Sequence, residues 1–111
     1  MFEANLQGAV HIISGSVPLN REHLPGLEKL ISQLVAKGQP KLVLQLQGIA
    51  LIDSAGLELL VDTQRRCAQR GGCLQLAMPN HLCRDILVAT GLVNQFVLFD
   101  TLNAAVGSFA Q

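Results

Sequence analysis

The chain contains no tryptophan and no tyrosine. A platform on which nucleic-acid bases stack is built from such rings, so single-strand binding of that kind is not expected. An excess of either charge is also missing, because eight Lys and Arg balance eight Asp and Glu. Nothing therefore points to electrostatic capture of nucleic acid or of an anionic membrane. Long apolar runs are absent, so no segment reads as a membrane span. The start, Met1-Phe2-Glu3-Ala4-Asn5, has neither the basic residues nor the apolar stretch of a signal peptide. Cysteine is scarce: Cys67, Cys73 and Cys83 are odd in number and never spaced as C-x-x-C. They read as small buried hydrophobes in a reducing cytoplasm, not as disulfide partners or zinc ligands. His11, His23 and His81 show no ligand spacing to one another or to the acids, so no metal and no cofactor is expected.

What is present is apolar. Half of the 111 residues are hydrophobic and 14% are charged, which is high for a soluble domain. A chain of this length makes one domain, 1–111, with a single core. Its surplus of apolar surface suggests cover by a partner or by a second copy, a homodimer.

Elements alternate along the chain. Ala9 to Ser14 reads as a strand, with Val10 and Ile12 on one face and His11 and Ile13 on the other. Leu24, Leu27, Ile31, Leu34 and Val35 recur at helical spacing, with Pro25 tolerable in the first turn and Gly38 and Pro40 as the stop. Lys41 to Gln47 alternates as a strand. A helix follows from about Ala55 to Arg70, with Leu57, Leu60, Val61, Gln64, Cys67 and Ala68 as the inner stripe, and Gly71-Gly72 ends it. Cys73 to Ala77 is a core strand. Asn80 caps a helix through Ala89 that turns Leu82, Ile86 and Leu87 inward. Phe96 to Phe99 is a short strand, and Thr101 caps a last helix carrying Leu102, Ala105, Val106 and Phe109. Strands separated by helices indicate an α/β fold with a largely parallel sheet.

The most informative stretch is Leu51-Ile52-Asp53-Ser54-Ala55-Gly56-Leu57. An apolar run delivers an Asp-Ser pair to a turn, and a helical pattern begins at once. Asp and Ser are preferred helix caps, and capping alone would account for Asp53. The same turn places the Ser54 hydroxyl at a helix mouth, where unpaired N–H groups and the helix dipole favour negative charge. Gly56 suggests close backbone approach. Glu58, Leu59, Asp62 and Arg66 fall off the inner stripe, and with Ala55 they form a candidate partner surface. Asp62 can pair with Arg66 four residues on, and Arg65 and Arg66 read as solvated charges. Catalysis is not indicated. There is no Gly-x-Ser-x-Gly, no Gly-x-x-x-x-Gly-Lys phosphate loop, and no His or Lys assignable to Ser54 as a base.

These residues resemble the STAS domain of bacterial anti-sigma-factor antagonists. The likeness rests on Ser14-Gly15 at the end of an early strand and on Leu42-Val43-Leu44 feeding Ile52-Asp53-Ser54-Ala55-Gly56-Leu57. Arg70-Gly71-Gly72 and Thr90-Gly91-Leu92 add to it, and it spans about Gly8 to Ala110. It implies a mixed sheet of four or five strands with helices mainly on one face. It also implies a non-enzymatic, cytoplasmic regulator without direct membrane insertion. Such proteins bind an anti-sigma factor that is also a serine-protein kinase; phosphorylation of the motif serine, here Ser54, releases it, and a cognate phosphatase restores binding. The implied contact surface is Asp53, Ser54, Ala55, Gly56, Glu58, Leu59 and Asp62. Where the family commonly has an Asp after the early strand, this chain has Ser16-Val17-Pro18. Gln45 and Gln47 replace another Asp, and Glu58 stands where Gly is common. Alternative expectations on the same fold are an accessory subunit of an ABC-type transporter ATPase and an unphosphorylated scaffold.

Overall fold

A computed structural model describes residues 1–110. The chain runs through β1 (Phe2–Gln7), β2 (Val10–Gly15), α1 (Leu24–Val35), β3 (Lys41–Gln45), α2 (Ser54–Gln69), β4 (Cys73–Ala77) and α3 (His81–Ala89). A 3-10 turn (Leu92–Gln95), β5 (Leu98–Phe99), α4 (Leu102–Gly107) and a last 3-10 turn (Ser108–Ala110) complete it. The five strands form one sheet in sequence order. β1 is antiparallel to β2, and β2 through β5 are parallel. The expected mixed sheet is thus present.

The layering follows from handedness. Each parallel connection β2–α1–β3, β3–α2–β4 and β4–α3–β5 steps the same way across the sheet. Right-handed crossovers then put all three helices on one face. Between them and the sheet lies the main core, with Ile13, Leu27, Ile31, Leu42, Leu44, Leu60, Cys67, Leu74, Leu76 and Leu87. The opposite face presents Val10, Ile12, Val43 and Ala77, and α4 covers it with Ala105, flanked by Leu102, Val106 and Phe109.

Sequence reading passes over β1. It alternates apolar Phe2, Ala4, Leu6 with polar Glu3, Asn5, Gln7, the pattern of a half-buried strand. Gly8 supplies the positive φ (62°) for the tight turn into β2.

Two helices are rotated relative to the expected stripes. In α2 the buried residues are Gly56, Leu60, Thr63 and Cys67, while Ala68 is exposed. Thr63 is admitted because its hydroxyl donates to the Leu59 carbonyl at 2.7 Å. Gln64, half-buried, exchanges two 2.8 Å bonds with the backbone of Leu74 and so ties α2 to β4. In α3 Cys83 and Leu87 are buried, and Leu82, expected inward, is 50% exposed. The Asn80 side chain sets this phase. It caps α3 by accepting from the Cys83 N–H at 2.7 Å, and it donates to the carbonyls of Ile49 and Ala50 at 3.1 and 3.2 Å. That anchoring turns Cys83, not Leu82, toward the loop, and its Sγ lies 3.4 Å from the Ile49 carbonyl oxygen.

Candidate functional site

The Asp53-Ser54 turn lies beyond the C-terminal end of β3, where connecting loops of parallel sheets gather and where such folds place their sites. Two loops meet there through backbone. The Leu19 N–H donates to the Leu51 carbonyl and the Asp53 N–H donates to the Leu19 carbonyl, each at 3.0 Å. These bonds make a one-residue parallel bridge, Leu19 to Ile52, outside the main sheet. Leu19 and Ile52 are both buried. The bridge joins the β2–α1 loop to the β3–α2 loop as one platform, and Asn80 ties in the start of α3.

Asp53 is the N-cap of α2. Its backbone is extended (φ −88°, ψ −177°), and its Oδ1 accepts from the Gly56 N–H at 2.8 Å. The other oxygen, Oδ2, accepts from the Arg21 N–H at 3.2 Å. Both carboxylate oxygens are therefore occupied in holding the turn. Ser54 is the first helical residue, and it is exposed. Its N–H and that of Ala55 precede the first intrahelical bond, from the Leu57 N–H to the Asp53 carbonyl at 2.9 Å. The hydroxyl therefore sits at the positive end of a 16-residue helix.

Gly56 is buried because α2 packs directly on the bridge. A Cβ there would lie 2.5 Å from the Leu19 carbonyl oxygen and 2.9 Å from Ile52 Cγ2. This close approach seats the helix mouth on the platform.

Along α2 the outward side carries Glu58, exposed, and Asp62, half-exposed. A groove of about 410 Å³ lined by Leu57, Glu58, Val61, Asp62, Arg65 and Leu92 runs on one side. On the other side a groove of about 340 Å³ is lined by Arg21, Leu24, Pro25, Glu28 and Leu59. Leu59 is thus neither free-standing nor fully buried: it packs against the main core and shows its outer edge in this second groove. Arg66, expected as a solvated charge, bridges helices. Its guanidinium donates to Glu28 at 3.0 Å and to Ser32 at 3.1 Å, and Asp62 stands 3.8 Å away. Arg65 is exposed and only 3.8 Å from Asp62.

Cys67 lies toward the far end of α2, while Cys83 faces the β3–α2 loop. Burial, assisted by nearby Cys73 and partly offset by Arg66, raises the Cys67 thiol from 9.0 to about 11, and burial raises Cys83 as well. Both stay protonated and weakly nucleophilic at neutral pH. Among the described residues no three His, Cys, Asp or Glu side chains stand close enough to hold a metal ion. No described helix is long and apolar enough to cross a membrane.

The structure brings Asp53, Ser54, Ala55, Gly56, Glu58, Leu59 and Asp62 onto the first turns of one helix. Sequence reading did not find Leu19 and Arg21, which hold the platform, nor the reach of Asn80 to Ile49 and Ala50. Only Asn80 gave a local signal, as a cap.

A mixed sheet with three helices on one face, and an Asp-Ser helix mouth bridged to the neighbouring loop, defines a small α/β class. The STAS domain model matches residues 2–105, and the chain belongs to that family. A Thermotoga maritima protein provisionally assigned as an anti-sigma factor antagonist is 27% identical over 106 residues, covering 95% of this chain and 94% of the relative. The crystal structure of an anti-sigma factor antagonist from Mycobacterium paratuberculosis superimposes with a TM-score of 0.90 at 25% identity, covering 100% of this chain and 94% of that one. The fold is also that of the Bacillus cell-fate determinant SpoIIAA in its phosphorylated form. That match has a TM-score of 0.75 at 17% identity and covers 98% of this chain and 99% of that one.

Proposed function

We propose that this STAS domain is an anti-sigma factor antagonist that works by partner switching. Unphosphorylated, it binds an anti-sigma factor that is also a serine kinase, through the first turns of α2 and the bridged loops. Phosphorylation of Ser54 ends the association, and a phosphatase restores it. The protein acts by binding, in the cytoplasm, and performs no catalysis of its own. The observation that carries this reading is the exposed Ser54 hydroxyl at the mouth of a helix seated on two bridged loops.

The energetics favour a surface switch. Phosphate adds about −1.5 to −2 charges and three acceptor oxygens. Asp53 already fills the cap, and Glu58 lies one turn along, so the added dianion meets carboxylates on its own side. A partner covering Ser54 must desolvate that charge. A misplaced buried interfacial charge costs about 2–5 kcal/mol, and each ~1.4 kcal/mol is tenfold in affinity.

Binding to the serine-kinase anti-sigma factor encoded in the same genome tests the proposal, measured by titration calorimetry. Wild type and Ser54→Ala are expected to bind alike, and Ser54→Asp at least about tenfold more weakly. Incubation with that kinase and ATP is expected to place one phosphate on Ser54. A Ser54→Asp variant that binds as tightly as wild type would overturn the switch.

A further inference from the structure

The sheet has two edges. On one side β5 is only two residues long. On the other, β1 offers six residues whose outer backbone groups have no strand beside them. Exposed edges are usually guarded by proline, lysine or a bulge. β1 has none of these. Its pairing with β2 is continuous from Phe2–Gly15 to Gln7–Val10, and its one charged residue is Glu3. Two of the most exposed large hydrophobic side chains in the molecule sit at this edge, Met1 at 74% and Leu6 at 63%.

We propose that β1 is a self-association edge, pairing antiparallel with β1 of a second copy about a two-fold axis through Ala4. The strand's own sequence selects this occupant. In that register Phe2 faces Leu6 of the second copy, Glu3 faces its Asn5, and Ala4 faces Ala4. Each exposed Leu6 gains an aromatic neighbour, and each Glu3 gains an amide instead of another carboxylate. The two glutamates stand on the diagonal, about 7–8 Å apart. A slip of one residue would set the apolar row against the polar one. A slip of two in one direction would leave Phe2 opposite Gly8 in the turn, and in the other would set Glu3 against Glu3 and leave Leu6 unpaired.

The register also preserves the layers. Phe2, Ala4 and Leu6 share the face of Ile13, the face that α1 to α3 cover. A two-fold axis perpendicular to the sheet keeps the apolar rows of both copies on that face. It reverses strand direction, so the two Ser54 turns point to opposite ends of a ten-stranded sheet. Neither is covered, and the dimer is a two-headed binder whose second attachment to a clustered partner is intramolecular.

Sedimentation equilibrium of the full chain tests this. Wild type is expected to dimerise. Leu6→Lys changes an exposed side chain, so its circular dichroism should match wild type while its dimer weakens at least about tenfold. In the wild-type dimer, nuclear Overhauser contacts are expected between the Phe2 ring and the Leu6 methyls, which lie about 13 Å apart along one strand. A wild type that stays monomeric up to millimolar concentration overturns the proposal. So does a dimer that lacks the Phe2–Leu6 contacts or persists undiminished in Leu6→Lys.

Discussion

Gly56 carries the strictest steric demand in the site. Its Cα faces the Leu19 carbonyl, and a methyl group would enter at 2.5 Å. The contact atom is backbone in a hydrogen-bonded bridge, so it has little room to retreat. Gly56→Ala is expected to destabilise the domain by about 1–3 kcal/mol, read as a lower urea midpoint with an unchanged slope. Alanine normally favours a helix over glycine by about 1 kcal/mol, so the sign of the change separates close packing from propensity. Single residues were legible in the sequence where their role is local. The Asp53 cap needs only its own next three residues, and Gly56 signals close approach by lacking a side chain. Leu82 was misread because the rotation of α3 is set by Asn80 reaching across to Ile49 and Ala50, some thirty positions away. Arg66 was misread for a similar reason, because its partners Glu28 and Ser32 lie on another helix.

At the scale of the element, α2 is fixed at its mouth by one carboxylate serving two segments. Asp53 caps the helix through the Gly56 N–H and holds the β2–α1 loop through the Arg21 N–H. Asp53→Ala is therefore expected to cost about 0.5–2 kcal/mol, the range for a lost cap. Ser54→Ala, which removes an exposed hydroxyl at the first helical position, should fall within about 0.5 kcal/mol of wild type. Thermal unfolding of the two variants side by side checks the division of labour. If Ser54→Ala were the more damaging, the hydroxyl would have a structural duty incompatible with a freely modifiable group. Helices and inner strands were legible because each buries a periodic stripe. The first strand was not recognised, although its alternation is regular, because it lies at an edge and only Phe2 and Ala4 are even half-buried.

At the scale of the whole molecule, the sheet must be covered on both faces, and the two covers are unequal. Three helices guard one side, and one short helix, α4, guards Val10, Ile12, Val43 and Ala77 on the other. Removing the chain after Asp100 is expected to uncover that face while leaving the three-helix layer intact. The truncated protein should bind the dye ANS strongly and aggregate on warming. A truncated form as soluble and as stable as the full chain would show that α4 is dispensable. The overall architecture was foreseeable from the order of strands and helices because handedness leaves few ways to connect them. The exchange of bonds between loops was not, since it runs through main-chain atoms that any sequence possesses.

That last feature bears on inheritance. The Leu19–Ile52 bridge is made of peptide groups, so side chains on the surrounding loops can be rewritten without loosening the frame beneath them. Ser16-Val17-Pro18 leads directly into Leu19 in one of the two bridged loops, so its side chains can vary without touching the bridge. On the proposed function, recognition is modular: exchanging the loop side chains between two relatives should transplant the choice of binding mate while the scaffold stays put.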